Sequence, residues 1–581
     1  MRPPFARRTI LLLILGLVLA GALWVGWLAW RVNSDLNAAV DDAERLQTAL
    51  EAGDDAGVDE ALDDLQDHST SAADRTDGLT WSVLTHIPHY GDDAEGVRLV
   101  SDVIADLSND GIEPLVRTAS DIDNVIPSGG QVDLEALEEL RGPVREARAA
   151  LEEADRRLAG GDPVGYVNRL KTKYRELASR VSSAAESVTS ADRALQVMPT
   201  MLGGEEPRQY LLVFQNNAEI RATGGLPGAV SLVEAHQGKL RITRQVAANS
   251  FGRAPAPVLP LTEAEMAMYG PELGTFFLDA NFTPDFPRTA DLMKARWEQV
   301  YDEDLDGVVS LDPVVLSYVL DVLGPVSVGD FTLSGDNVVD VLLHEVYLRY
   351  ADPAEQDAYF RKVAKAVFDK ISSGADDPLA LIRALARGAH EGRVYVHSFR
   401  QSEQSSIAGS DVTGELLTEA SGTPQINVTM NDATGAKMSY YLRSSVHVDS
   451  TYCSGGVQGF SGKAQLQSIA PPDAASLPDY VTGGGQFGIE PGAQLVLLRI
   501  FGPVGGDVKD LRFNGKSTGL DVVDQDGRQV ATTTVYLEPG QTIDVSWRMT
   551  TGPEQRANAQ VTVTPSIEEK RSSFTVPTSC A

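Results

Sequence analysis

Residues 210–225 read YLLVFQNNAEIRATGG, and how this stretch divides decides the fold around it. Tyr210 to Phe214 is a short apolar run bounded by polar residues, the length and texture of a buried strand. Gln215, Asn216, Asn217, Glu219 and Arg221 then crowd together ahead of Gly224 and Gly225, where glycine permits tight turning and close backbone approach. Polar side chains gathered at a strand end are where open α/β sheets bind ligands, so a site is expected here.

Working outward, residues 228–233 and 240–243 continue at strand length, and helical spacing returns over 288–300 and 313–323. Val338, Val341, Leu342 and Val346, then Val363, Val367 and Ile371, recur at helical intervals between Gly335 and Gly388. Strands alternating with helices predict an α/β domain over residues 203–420. Beyond Pro424 the period drops to two: Ile426, Val428, Met430, then Met438, Tyr440 and Leu442, with 432–435 as the turn between them. Further strands over 494–501, 530–537, 542–549 and 559–564 predict an all-β domain, a β-sandwich, over 421–581.

Toward the N-terminus the pattern is helical. Leu36, Val40, Ala43, Leu46 and Leu50 form one stripe, Leu137, Leu140, Val144, Ala147, Leu151, Ala154 and Leu158 another, and Leu170, Tyr174, Leu177, Val181 and Ala184 open a third. Breaks at Gly53, Ile87-Pro88, 127–130 and 160–163 suit loops between antiparallel helices, so residues 31–202 read as a helical stalk or bundle. Before it, residues 10–30 are uninterrupted and apolar, long enough at about 1.5 Å per residue to cross a hydrocarbon core of roughly 30 Å. Arg2, Arg7 and Arg8 precede the run and Arg31 alone follows closely, which keeps residues 1–8 in the cytoplasm and points the body outward. The alternative is a cleaved signal peptide, but Trp24, Trp27 and Trp30 suit an interfacial belt rather than a cleavage site. The expected fold is therefore a multidomain α+β chain: a transmembrane helix over 9–30, a helical bundle, a central α/β domain and a C-terminal β-sandwich, with its body outside the cell membrane.

A formal charge of −33 argues against nucleic acid, whose phosphates require a basic face. Cys453 and Cys580 are the two cysteines, and an even pair in an exported protein predicts a disulfide that staples the last residues to their domain; two idle thiols are the alternative. No hydrolase, zinc, Walker or dinucleotide motif occurs, and the eight histidines lack metal-ligand spacing; His86 and His89 flank a bend. Asp302, Asp304, Asp306 and Gly307 copy the start of a calcium loop, yet Pro313 stands where a closing glutamate belongs, leaving a helix-to-strand turn as the expected reading.

Residues 210–225 resemble the signature of the domain of unknown function 4012, found in bacterial membrane proteins, and Ala436-Lys-Met-Ser-Tyr-Tyr-Leu442 is similar to that family's C-terminal part. A weaker resemblance is to LytR-CpsA-Psr domains, through Asp279-Ala-Asn281, Arg288-Thr-Ala-Asp291, residues 306–312 and Leu323-Gly-Pro-Val326, taken in order. Residues 347–353 and 357–361 look like the arginine-rich helix with which such domains grip a lipid pyrophosphate. That resemblance implies a central LytR-CpsA-Psr-like domain, a deep polyprenyl pocket, and transfer of a glycopolymer from lipid carrier to cell wall.

The arginines fit the chemistry, since a planar fork pairs bidentately with phosphate. The candidate phosphate-binding residues are Arg221, Arg253, Arg349 and Arg361, with Asn217, Glu219 and Asn281 beside them. Glu219 is either an acid/base group or the partner of Arg221, and pairing is the expected role. Where those transferases carry aspartates for magnesium, residues 222–225 are Ala-Thr-Gly-Gly and 247–250 are Ala-Ala-Asn-Ser, so magnesium lacks its expected ligands; Lys362 and Lys365 also stand near a second family arginine. The expected function is a membrane-anchored envelope protein that binds a lipid-linked or phosphate-bearing glycopolymer. The alternatives are a transferase acting on a polyprenyl pyrophosphate-linked substrate and a non-catalytic structural protein.

Overall fold

A computed structural model describes residues 4–52, 54–88, 90–119, 131–375 and 377–580, without the side chains of 4–22, 51, 55 and 119. Gly53, His89 and the expected break at 127–130 lie outside the described residues. The chain divides into two compact units. The first comprises residues 1–122 and 135–196, and the second residues 123–134 and 197–581.

The first unit is helical. Pro4–Ala52 is one continuous helix. Asp54 caps the next, Asp55–Asp77, through Gly57 N. The short helix Leu79–Leu84 follows, then Gly91–Asp106, and later Leu134–Ala159 and Asn168–Met201. The first two helices run antiparallel, pinned by Arg75 on Asp35 at 2.8 Å, His68 on Asp42 at 2.7 Å and Arg45 on Asp64 at 2.7 Å. Ala39 and Leu46 close against Ala61, Leu62 and Leu65 along the same interface. Val103, Leu107, Ala154, Leu158, Tyr174 and Val181 form a second apolar layer. Among the described residues no helix is long and apolar enough to cross a membrane, and most of the apolar run 10–30 lies among residues whose side chains are not described.

The second unit is α+β with a β-rich C-terminal part. Its first sheet contains β1 (Arg208–Arg221), β2 (Gly224–His236), β3 (Lys239–Ala247), β4 (Gly307–Leu311) and, after the small hairpin of β5 (Val326–Val328) and β6 (Phe331–Leu333), β7 (Tyr395–Ser398). The strand order is β3-β2-β1-β4-β7, and the β1–β4 pair alone is parallel. The expected α/β sheet is thus mostly antiparallel. The cause is local: Gln237 and Gly238 both take positive φ and turn β2 directly into β3, so no helix crosses over there. The helices Phe286–Tyr301 and Pro313–Leu323 flank β4 and bury Trp297 and Val314.

The C-terminal part has two sheets. One runs β13 (Lys516–Ser517), β12 (Val508–Phe513), β16 (Thr542–Thr550), β10 (Val457–Ser468), β9 (Leu442–Ser454). The other runs β14 (Asp521–Gln525), β15 (Arg528–Leu537), β11 (Gln494–Val504), β8 (Gln425–Asp432), β17 (Ala559–Val563), β18 (Ser573–Val576). Ile426, Val428 and Met430 of β8 meet Phe460, Leu466 and Trp547 of the other sheet in one core. The residues 432–435 do turn, but Met438 and Tyr440 fall in a helical turn, Met438–Tyr441, and the next strand begins at Leu442. A disulfide joins Cys453 to Cys580, with Cα atoms 5.0 Å apart.

Candidate functional site

Residues 215–225 do not leave the sheet at a strand end. They are the tip of the β1–β2 hairpin, with Ala222 and Thr223 as its turn and Arg221 opposite Gly224. Within the tip the register jumps from Asn216 opposite Leu226 to Ile220 opposite Gly225, leaving Asn217, Ala218 and Glu219 bulged out. Gly225 makes this possible: a Cβ there would stand 2.3 Å from the Asn216 carbonyl carbon. Asn216 turns the bulge by accepting from Ala218 N at 3.0 Å. Gln215 replaces missing ladder bonds, its Oε1 accepting from Gly225 N at 2.9 Å and Thr223 Oγ1 at 3.0 Å. Its Nε2 donates to Ser310 Oγ at 2.5 Å.

The bulge delivers a set of buried charges. Arg221 donates from Nη2 to Glu219 Oε1 at 2.7 Å and to Asp279 Oδ1 at 3.2 Å, and lies over the Phe282 ring at 4.7 Å. Glu219 takes a second cation on its other oxygen, Lys437 Nζ. Arg221, Glu219 and Lys437 are 4 %, 5 % and 4 % exposed, so no bulk water shares these bonds. Burial alone would raise the Glu219 carboxyl, but Lys437 and Arg221 outweigh it and hold it below the usual carboxylate range. Burial likewise opposes the charge of Arg221, yet Glu219 and Asp279 win and raise its pKa. Asp279 goes the other way: burial lifts it to about 6, against the pull of Arg221. Asp432 is also lifted to about 6, by burial and by Glu219, although Thr434 and Gly435 donate to it.

The tip reaches the β-rich part. Ile220 belongs to its core, Ala222 N donates to Asn431 Oδ1 at 3.0 Å, and Thr564 Oγ1 donates to Ala222 O at 3.1 Å. Asn217 Nδ2 reaches Asp312 Oδ2 at 3.0 Å, which also accepts from buried Arg393 at 2.9 Å. Arg393 in turn donates to Ser566 O at 2.8 Å, a second tie to the same part. Asn281 Nδ2 closes on Thr223 Oγ1 and Gly225 O at 2.9 and 2.8 Å. The Oδ1 atoms of Asn217 and Asn281 and the Nε of Arg221 are buried without a hydrogen-bond partner.

Of the expected site residues, Arg221 and Glu219 pair directly, while Asn217 and Asn281 join the same hairpin tip through separate hydrogen-bonded groups. The other three arginines stand elsewhere. Arg253 is exposed over the Phe276 ring, just after the Ala248–Phe251 turn. Arg361 lies on the helix Pro353–Ser372, whose backbone accepts from Gln245 at its own carbonyl. Arg349 is exposed and pairs with Asp330 on the β5–β6 turn at 2.9 Å.

Lys437, Asp432, Asp312 and Arg393 were not read from sequence as site residues; the signal for the first two was the 432–442 stretch itself, whose turn and family likeness stand beside them. The acids of the calcium-like run are spent separately: Asp302 caps a helix with positive φ, Asp304 takes Lys294, and Asp306 accepts from Arg208 and Gln209 N. Among the described residues no group of three His, Cys, Asp or Glu stands ready for a metal ion.

No curated protein matches the chain. A crystal structure titled as the transcriptional regulator yvhJ from Bacillus subtilis is 13 % identical, covering 37 % of this chain and 83 % of that one with a TM-score of 0.21, too low to carry an argument. Residues 205–347, which hold the hairpin tip, match the family described as Protein of unknown function (DUF4012). The family likeness carried by residues 210–225 is thus shown over residues 205–347, where the chain holds a DUF4012 segment.

Proposed function

We infer that this is a membrane-anchored extracytoplasmic protein of the cell envelope, whose body holds a partner or polymer rather than transforming it. The observation that carries the anchor is the state of Trp24, Trp27 and Trp30: they are 54 %, 48 % and 61 % exposed on a continuous helix, at the end of the apolar run 10–30. Large indole rings left bare at that position suit the boundary between hydrocarbon and water. The disulfide supports an oxidising compartment. A holding role is supported by the hairpin tip, whose ionised groups are turned on one another and buried.

The test uses the full chain in bacterial cells. After alkaline carbonate washing it should stay with the membrane, and a cysteine placed at the exposed Phe487 should react with an impermeant maleimide on intact cells. Release by carbonate, or labelling only after lysis, would overturn the reading.

A second reading, binding of a phosphate-bearing or lipid-linked glycopolymer in the manner of LytR-CpsA-Psr domains, is favoured by one observation. Arg253 directly follows the Ala248–Phe251 turn and is exposed over Phe276, and the Arg361 backbone carbonyl accepts from Gln245 just ahead of that turn. The double variant Arg253→Ala/Arg361→Ala should retain several-fold less polyprenyl pyrophosphate than the parent; equal retention counts against this reading.

A further inference from the structure

Large apolar side chains left bare in the helical unit are not scattered. Apart from Val40, those described lie in three places: the helix over residues 23–30, the corner over 79–90, and the loop at 164–167. In the corner Leu79 is 90 % exposed, Val83 65 % and Tyr90 68 %; in the loop Val164 is 77 % exposed.

The three places share one end of the unit. The Asp35–Arg75, Asp42–His68 and Arg45–Asp64 pairs set an antiparallel register in which each step down one helix is a step up the other. Carried one turn further, it brings residues 79–84 level with Leu28 and Val32. Trp81 packs there with both, donating its indole N–H to Ala94 O at 2.9 Å. Leu79 and Val83 are one helical turn apart, so burying Trp81 turns both outward together. The loop joins at the same level. Val167 N donates to Asp93 Oδ1 at 2.8 Å, and Tyr166 lies against Gly96, near the start of the helix that follows the corner.

The corner is built rather than slack. Gly91 N donates to Ile87 O at 2.8 Å, and a Cβ on Gly91 would meet Thr85 O at 2.4 Å. Its composition is the second observation. In a chain with 23 % charged residues, 78–91 contains no Asp, Glu, Lys or Arg, although Asp77 and Asp92 bracket it; 163–167 is likewise uncharged, after Asp162. Solvent-facing loops of so acidic a protein have no reason to lose every charge at one end. An exposed apolar patch of this kind marks an interaction surface.

We propose that residues 79–90 and 164–167 form a foot that dips into the interfacial layer of the bilayer that residues 10–30 cross, beside the tryptophans of that helix. The proposal rests on the anchor reading above, and continuity with the apolar run identifies lipid as the occupant. With no Lys or Arg in the foot, binding at neutral pH depends on apolar and aromatic contact, not on anionic headgroups. The foot would fix the helical unit upright instead of leaving it to swing about one helix.

The test reconstitutes the full chain in phosphatidylcholine nanodiscs, with a fluorescent label on a single added cysteine at Leu23, Leu79, Val83, Val164 or Val40 and the native disulfide kept closed. Lipids carrying a shallow nitroxide should quench labels at Leu79, Val83 and Val164 several-fold more than at Val40, and as strongly as at Leu23. Quenching at Leu23 with the foot positions no different from Val40 overturns the foot and leaves the anchor standing. No quenching at Leu23 overturns both. Foot labels shielded from water yet unreached by lipid nitroxide, together with paired discs, would assign the surface to a second copy and also overturn the proposal.

Discussion

Arg221 gives up its water for Glu219 and Asp279, so its removal strands the buried Asp279 carboxylate and leaves Glu219 to Lys437 alone. Arg221→Ala should cost about 3–5 kcal/mol in urea unfolding, the range for breaking a buried pair from one side. The loss should shrink when Asp279→Asn is added, because the stranded charge goes with it. Asp279 supplies the pH signature. Its folded pKa of about 6 lies above the ordinary 3.8, so the folded protein takes up a proton that the unfolded chain does not. The resulting stability is fully present below the ordinary value and is lost as pH rises through about 6. Against an Asp279→Asn variant, which cannot titrate, the parent should gain about 1 kcal/mol between pH 7 and pH 5. Parallel thermal melts of the two proteins check it, and a constant gap would contradict the assignment.

The hairpin of β1 and β2 depends on one glycine more than on its neighbours. Gly225→Ala must push the Asn216 carbonyl aside and reopen the bulge, at about 2–3 kcal/mol. Gly228→Ala in the same strand meets nothing closer than 4.0 Å and should change little, so the two unfolding curves separate backbone approach from glycine content. This element also shows what a sequence can and cannot display. β8 was legible because Ile426, Val428 and Met430 alternate with polar residues, although Thr429, Asn431 and Asp432 are buried too. β10 was not, because its inward positions include Gly462 and Ala464. Trp547 across the ladder fills the space that a Cβ on Gly462 would need, so the volume sits in the neighbouring strand and no hydrophobic run appears. The hairpin tip was visible as a place but misread in shape, since Ala222-Thr223-Gly224-Gly225 signals a turn without saying that the strand returns beside itself. Its partners Asp432 and Lys437 lie far along the chain, and no local pattern ties them to Glu219.

Across the second unit, a fold made of unlike parts is fastened at separate points: the hairpin tip, the Asp312–Arg393–Ser566 chain and, within the β-rich part, the disulfide between edge strand β9 and the residues after edge strand β18. Closing a loop over a sequence separation of 127 residues limits the unfolded chain, so Cys580→Ser should lower stability by about 4 kcal/mol. Melting with and without reductant reads the same quantity in the parent. The matched family segment ends at residue 347, before Asp432 and Lys437. It therefore contains a key without its lock. Relatives should show correlated substitutions between positions 219–222 and 431–437, because Lys437 supplies the cation on the Glu219 oxygen that Arg221 leaves open.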